Sequence, residues 1–122
     1  MTIHIANLTI NQSSNGLYSI NDIHRASGGL AKHQPAAWMR LQSTTNLIRL
    51  MESQVINQQS KNSIVETVEG RNYGGNSGTF VCRKLVVAYA LWISTEFFSH
   101  VLDVFLDVVD GVYARVAEQD RI

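Results

Sequence analysis

The chain has 122 residues, of which 45% are hydrophobic and 16% charged, with a formal net charge of zero. This balance is typical of a globular protein and excludes an intrinsically disordered one, and the length suits one domain rather than two. A single cysteine excludes an intrachain disulfide framework and favours a reducing compartment. We therefore expect one domain over 1–122, with its core in about 3–106 and a helical extension over 107–122.

The charge is unevenly distributed along the chain, and no targeting segment is visible. Residues 1–95 carry eight Lys or Arg and four Asp or Glu, whereas residues 96–122 carry two and six. This asymmetry indicates a basic working face and an acidic structural tail. The N-terminus lacks the pattern of a secretory signal, and the most apolar stretch, 85–93, is too short to span a bilayer. We therefore expect a cytoplasmic protein without a membrane partner.

The first predicted elements are a strand and a hairpin. Apolar residues alternate with polar ones over 3–10, and a break in phase near Asn7 indicates a bulge in this strand. Asn15 and Gly16 form a strong turn signal because both residue types accept positive φ. The apolar residues at 17–20 then suit the return strand. An N-terminal β-hairpin is the prediction.

Two helices joined by a glycine-containing linker are predicted to follow. Asn21 and Asp22 are good N-cap residues for a short helix over 22–27, which the two glycines at 28–29 end. A second helix is predicted over 35–54, because proline suits the first turn of a helix and the apolar residues behind it have helical spacing. This order is typical of a helix-turn-helix.

The second half of the chain predicts another hairpin and then two helices. Residues 64–68 and 79–81 read as paired strands, and the Gly- and Asn-rich stretch between them forms a wing-like tip. A helix over 83–93 is predicted to end at Ser94, an N-cap that opens a last helix running to about 118. Together the elements predict an α+β fold: an N-terminal β-hairpin, a helix-turn-helix-like helix pair, a second, wing-like β-hairpin and two C-terminal helices, the last long.

The last predicted helix is apolar over more than half of its circumference, with two adjacent apolar faces. The first face consists of Phe97, Val101, Val104, Phe105, Val108 and Val112. The second consists of Phe98, Leu102, Leu106, Val109 and Tyr113. The first face is predicted to pack on the domain. The second is predicted to form a homodimer interface, and its burial within the monomer is an equal alternative.

Several segments, in a fixed order, carry a resemblance to a known family. They are INDIHRASGG at 20–29, KHQP at 32–35 with Trp38, Leu41, Thr45, Leu47 and Ile48, EGRN at 69–72, GTFVCRKL at 78–85, AYALWIS at 88–94, and Glu96 with Phe97. On these segments the chain resembles the KilA-N domain, the DNA-binding module common in phage, prophage and large DNA-virus proteins. The resemblance covers about 3–106 and implies a fold related to the fungal APSES domain. Thr95, where the family usually has proline, and His100 and Asp103, where relatives often carry basic residues, depart from the pattern.

The resemblance implies contacts with double-stranded DNA, and the basic residues fit that implication. The predicted contacts are Arg25, Lys32, His33, Gln34, Arg40, Arg71, Asn72 and Tyr73. Positive charge and backbone N–H groups at the start of the second helix attract phosphate, and the tip of the second hairpin has the composition of a wing. The alternatives are solvated charges at Lys32 and Arg40 and a merely flexible loop at the tip. Arg83 and Lys84, at a helix start, are a weak indication of an anionic partner.

No catalytic, metal or cofactor pattern accompanies these residues. Cys82 lies between apolar neighbours, the histidines lack zinc spacing, and neither a Walker loop nor a dinucleotide fingerprint is present. We predict no enzyme, no metal and no cofactor. The predicted function is the DNA-binding domain of a phage- or prophage-type transcription regulator in a bacterial host cell, nucleoid-associated when bound. Alternatives are an antirepressor-like module that binds a regulator protein through the C-terminal helix, and binding of RNA or single strands.

Overall fold

A computed structural model describes residues 3–55, 64–68 and 78–106 of the chain. The chain forms an α+β fold, as predicted. The strands are β1 (Ile3–Ile5), β2 (Leu8–Ile10), β3 (Tyr18–Ser19), β4 (Val65–Val68) and β5 (Gly78–Val81). The helices are α1 (Ile20–Ala26), a 3₁₀ turn (Ala31–His33), α2 (Pro35–Met39), α3 (Gln42–Gln54) and α4 (Arg83–Ile93). A further helix, α5, covers 95–106, where the described residues end.

The N-terminal hairpin turns earlier than the sequence predicted. β1 and β2 pair antiparallel, with Ile3 opposite Ile10. Between them Ala6 and Asn7 have φ of 50° and 66°, as a two-residue hairpin turn with positive φ at both positions requires. The break in phase at Asn7 is therefore the turn itself, and the prediction of one bulged strand over 3–10 was wrong.

The predicted turn at Asn15 and Gly16 is present, although it joins an isolated bridge rather than two full strands. Gly16 has a φ of 80°, and its N–H donates to the Ser13 carbonyl at 3.0 Å. The bridge pairs Gln12 with Tyr18. The return segment then leaves this turn and enters the second sheet as β3.

The second sheet has the order β3-β5-β4, and it connects the N-terminal region to the second hairpin. β4 and β5 pair antiparallel, with Val65 opposite Val81, which confirms the predicted hairpin. β3 lies on the other side of β5, with Ser19 opposite Phe80. The predicted wing-like tip falls within 69–77, outside the described residues.

Helix α1 begins two residues before its predicted start. Ser19 is its N-cap, since its hydroxyl accepts a hydrogen bond from the Asp22 backbone N–H at 3.3 Å. The predicted caps, Asn21 and Asp22, were wrong, and Asp22 instead lies in the first turn, where a carboxylate is favoured by the helix dipole. The predicted glycine stop is confirmed, because Gly28 and Gly29 have φ of 115° and 68°.

The predicted second helix is in fact two helices, with a break at residues 40 and 41. Pro35 opens α2 as predicted, but Leu41 is extended at ψ 143° and serves as the N-cap of α3. The break rotates the helix face that points inward. Thr44 is 3% exposed, whereas Thr45, which the sequence analysis placed on the inner face, is half-buried and bonds its hydroxyl back to the Leu41 carbonyl at 3.1 Å.

Helices α4 and α5 complete the core. α4 has its predicted limits, and Ser94 caps α5 as predicted, its hydroxyl accepting from the Phe97 N–H at 3.1 Å. Val101 and Phe105 of the first apolar face of α5 are buried in the core. On the second face Leu106 is 49% exposed. Val108, Val109, Val112 and Tyr113 lie outside the described residues, and no described helix is long and apolar enough to cross a membrane.

Candidate nucleic-acid interface

The segment 32–40, which contains four of the predicted DNA contacts, is anchored to α4 by two aromatic side chains. Trp38, the buried residue of α2, packs against Tyr89 of α4 with ring centroids 5.2 Å apart. The Tyr89 hydroxyl donates a hydrogen bond to the His33 carbonyl oxygen, one residue past Lys32. Burial raises the pKa of the Tyr89 hydroxyl well above its ordinary value, so it stays protonated and keeps donating. The backbone of the 3₁₀ turn is thereby fixed to the core.

The His33 ring packs against α4 and is only partly exposed to solvent. The imidazole lies edge-on to Trp92 of α4, with centroids 5.8 Å apart and an interplanar angle of 74°. Its Nδ1 is buried and has no hydrogen-bond partner among the described residues. Of the side chains predicted to contact DNA in the segment 32–40, His33 is the one that is half-buried.

Lys32, Gln34 and Arg40 are all exposed, and they flank α2. Lys32 and Gln34 precede the helix, and Arg40 follows its last residue. Because a five-residue helix rises only about 7.5 Å, little more than one short helix separates the two cations along the chain. No carboxylate in the described part of the chain forms an ion pair with either cation. Within the described residues, their positive charges are therefore uncompensated.

Arg25, in contrast, has a counter-ion. Its guanidinium forms a salt bridge with Asp22, whose side chain is 4% exposed, while Arg25 itself is 64% exposed. The same carboxylate also accepts from the Asn11 backbone N–H at 2.9 Å and from the Asn11 amide at 3.0 Å. Asp22 thus ties the end of β2 to α1, and Arg25 neutralises it. The charge of Arg25 adds little to the field around α2.

Comparison with protein families identifies the family of this chain. The family model of the KilA-N domain matches residues 1–111. The chain belongs to the KilA-N domain family. KilA-N is a DNA-binding domain family, associated with regulators of phages and DNA viruses. Protein kilA of Escherichia phage P1 is 39% identical over 107 residues, which cover 88% of this chain and 37% of that protein. The chain thus spans little more than a third of this relative's length, and no solved structure matches it.

Two of the three departures from the KilA-N pattern, at His100 and Thr95, have structural explanations. His100, on α5, accepts a hydrogen bond at Nε2 from the Ala6 backbone N–H at 3.2 Å, so it holds the turn between β1 and β2. α5 begins at Thr95 without the proline that the family usually has, since Ser94 caps the helix. Neither departure alters the segment around α2.

Arg83 and Lys84, the weak indication of an anionic partner, have unequal surroundings in this KilA-N domain. The Arg83 guanidinium lies 5.5 Å from the centroid of the Phe105 ring, within the range of a cation–π interaction. This contact offsets the unfavourable position of a cation at a helix start. Lys84 is exposed. Arg83 therefore has a packing role that requires no anion.

Arg49 is the exposed cation that the sequence analysis missed. It lies on α3, and no described carboxylate pairs with it. The signal was present, because Arg49 is opposite the inward residues Thr44, Leu47, Ile48 and Met51 once the helix is phased from Leu41. Phasing one long helix from Pro35 concealed it. The predicted tip contacts Arg71, Asn72 and Tyr73 lie outside the described residues.

The groups at this surface can bind a ligand through charge and hydrogen bonds. Cys82 is half-buried before α4, and its backbone N–H donates to the Ile64 carbonyl at 2.9 Å. Among the residues that the structure describes, no group of three His, Cys, Asp or Glu is placed to hold a metal ion. Cations, amides and hydroxyls on exposed helices offer hydrogen bonds to phosphates and base edges.

Proposed function

We propose that this chain is the duplex-DNA-binding domain of a phage- or prophage-type transcription regulator, acting in the bacterial cytoplasm. The supporting observation is the charge of the segment 31–55 in a member of a DNA-binding family. Lys32, Arg40 and Arg49 are exposed there without an ion pair to any described carboxylate, and Glu52 is the segment's one acidic residue. Uncompensated positive charge attracts the phosphate backbone and releases its counterions.

Lys32 and Arg40 are proposed to contact phosphates on either side of α2. Contacts of this kind fix the position of a domain on the duplex and carry no sequence information. Gln34, exposed beside them, is proposed to add a hydrogen bond to the backbone or to a base edge. The hairpin that β4 and β5 open is proposed to bring Arg71, Asn72 and Tyr73 to the neighbouring backbone or minor groove.

The acidic residues of α5 indicate which side of the domain faces away from DNA. Glu96 and Asp103 are exposed on α5, which carries no Lys or Arg within its described part. A helix with this charge is repelled by polyphosphate. We therefore propose that the duplex lies against the segment 31–55, away from α5. Arg25 is not required, since its charge is neutralised by Asp22.

Fluorescence anisotropy with a random-sequence duplex tests this proposal. The unaltered chain is expected to bind at low salt, and the double charge reversal Lys32→Glu/Arg40→Glu is expected to abolish detectable binding. The matched control is Lys84→Glu, which reverses another exposed cation, at the start of α4. The proposal fails if a chain with an intact fold does not bind duplex at low salt. It also fails if Lys84→Glu removes binding as completely as the double reversal.

We further propose that the second apolar face of α5 forms a homodimer. Leu106 is 49% exposed, and Phe98 and Leu102 are half-buried, which leaves part of this face uncovered. Val109 and Tyr113 would continue it. A twofold-symmetric dimer would present two DNA-binding surfaces to paired half-sites. An antirepressor-like contact with a regulator protein through the same face is the second candidate function.

Sedimentation velocity distinguishes these two uses of the face. A homodimer is expected to give a dimeric species at micromolar concentration, which Leu106→Glu converts to monomer without loss of helical circular dichroism. A chain that sediments as a monomer at all concentrations contradicts the dimer. In that case pull-down of a candidate regulator, lost in Leu106→Glu, would favour the antirepressor-like function.

A further inference from the structure

The side of α3 that faces away from the core has an unusual composition. The inward side consists of Thr44, Leu47, Ile48 and Met51, which pack on or within the core. At 100° per residue, the positions directly opposite are 42, 46, 49 and 53. They hold Gln42, Asn46, Arg49 and Ser53, and all four are exposed. We call these four residues the outward face of α3.

Every side chain of the outward face carries a hydrogen-bond donor group, and none is a carboxylate. A helix surface that is merely solvated normally mixes cations with carboxylates at positions three or four apart. Here the only charge is that of Arg49, which forms no ion pair with a described carboxylate. Gln, Asn and Arg are also the residues whose planar groups pair bidentately with base edges. The side chains of this face can therefore form hydrogen bonds with base edges, which carry both donors and acceptors.

Two of these side chains form one combined unit. The Gln42 Nε2 donates a hydrogen bond to the Asn46 Oδ1 at 2.9 Å. This bond fixes both amides against each other. It leaves the Gln42 carbonyl oxygen as an acceptor and the Asn46 amide as a donor, and no other hydrogen bond within 3–55, 64–68 and 78–106 uses them. An acceptor beside a donor matches the major-groove edge of adenine, which offers the N6 amino group and the N7 acceptor.

We propose that α3 is the base-reading helix of this domain and lies in the major groove. The Gln42–Asn46 pair recognises an adenine, and Arg49 recognises a guanine through its O6 and N7 acceptors. This inference rests on the proposed duplex binding and adds to it the residues that determine sequence preference. Lys32 and Arg40 then contact phosphates and contribute affinity alone.

The dimensions of the helix agree with this placement. The outward face extends from residue 42 to residue 53, which is about 16 Å along the axis at 1.5 Å per residue. Stacked base pairs are about 3.4 Å apart, so the face spans roughly five of them. The major groove admits a single α-helix. The exposed cations around α2 precede α3 directly, where they can contact the backbone beside the groove.

The test begins with selection of bound duplexes from a random pool by the full 122-residue chain. Affinity is then measured for the selected duplex and for a random duplex at one salt concentration. The variants are Asn46→Ala and Arg49→Lys, which keeps the charge and loses the bidentate fork. The matched control is Gln54→Ala, an exposed amide of the same helix that lies well off the outward face. Thermal unfolding checks that each variant is folded.

Base reading predicts a loss of preference rather than a general loss of affinity. Each of the two variants is expected to reduce the ratio of selected to random affinity by roughly 5- to 100-fold. Their affinity for random duplex should change by no more than about threefold, and Gln54→Ala should leave the ratio unchanged. Repeating the selection with Arg49→Lys should relax the preference at one guanine, and with Asn46→Ala at one adenine.

The experiment distinguishes failure of base reading by α3 from failure of duplex binding. If both variants keep the full preference while Lys32→Glu/Arg40→Glu abolishes binding, duplex binding stands and base reading by α3 is wrong. A selection that enriches no sequence also overturns base reading. If the folded chain binds no duplex at low salt, the proposed function falls and this inference falls with it.

Discussion

The helices α3 and α4 are of similar length, yet they use their residues in opposite ways. α3 has one buried residue, Thr44, and exposes amides, hydroxyls, Arg49 and Leu50. α4 buries five residues: Leu85, Val86, Tyr89, Ala90 and Ile93. α4 therefore provides stability. α3 is held against the core by a few partly buried side chains, and its other side chains are exposed to solvent. If α3 reads DNA as we propose, stability and recognition are separated into two helices, and substitutions should affect one property with little effect on the other.

The largest effect is expected from the interior of α4. Leu85 is completely buried in the core. Leu85→Ala removes its packing and leaves a cavity, which should lower the free energy of unfolding by about 3 kcal/mol. Urea unfolding followed by circular dichroism measures this change. A loss below about 1 kcal/mol would contradict the assignment of α4 as the stabilising helix.

A second large effect is expected at the buried carboxylate of α1. Asp22→Ala leaves the Asn11 backbone N–H without its acceptor and Arg25 without its counter-ion. We expect a loss of about 2 kcal/mol, because buried polar groups that lose a charged partner are costly. Arg25→Gln should cost less, since Arg25 is largely exposed. If Arg25→Gln weakens duplex binding as strongly as Lys32→Gln, Arg25 is a DNA contact and our account of its role is wrong.

Tyr89 joins the two regions, and its removal should have a moderate effect. Tyr89→Phe deletes the hydrogen bond to the His33 carbonyl and should cost about 1 kcal/mol. Burial raises the pKa of this hydroxyl in the folded state, so folding disfavours its ionised form. Its contribution to stability is therefore complete below the unfolded pKa of about 10 and is lost as the pH rises above that value.

Urea unfolding at pH 8 and at pH 10.5 tests this pH dependence. The difference in stability between the unaltered chain and Tyr89→Phe should shrink at the higher pH, because only the unaltered chain loses the Tyr89 contribution. An equal difference at both pH values would show that the hydroxyl is not shielded in the folded state.

The smallest effect on stability is expected on the outward face of α3. Asn46→Ala should change the free energy of unfolding by less than about 0.5 kcal/mol, since the side chain is exposed and its hydrogen bond to Gln42 is local. The same variant is predicted to lose sequence preference. Thermal unfolding provides the measurement, and a destabilisation of more than 1 kcal/mol would place Asn46 in the packing of the domain instead.

The fold was predictable wherever the chain marks its elements with caps and periodicity. The limits of α4 and the cap at Ser94 were predicted to the residue because a serine interrupts a strongly apolar helix. The turn at Ala6 was missed, since alanine rarely adopts positive φ and gives no turn signal. The break before α3 was missed for a related reason: the backbone of Leu41 is extended, yet neither Arg40 nor Leu41 is a glycine or proline that would signal a break.

The candidate site was predictable in residue type but not in pairing. Basic residues around Pro35 are visible in the sequence, and their exposure follows from their charge. That Arg25 neutralises Asp22, while Lys32 and Arg40 have no such partner among the described residues, depends on contacts between side chains. Arg49 was missed because its position on the surface depends on the helix break. Sequence periodicity cannot reveal a change of phase that a loop residue introduces.

The most direct test of the central claim is the salt dependence of binding to a random duplex. We expect the logarithm of the association constant to fall linearly with the logarithm of salt concentration, by about 0.9 for each phosphate contacted. Neutralising Lys32→Gln and Arg40→Gln together should reduce this slope by about two. A slope near zero for the unaltered chain, or a slope that the double variant leaves unchanged, would contradict the claim that these two cations meet the DNA backbone.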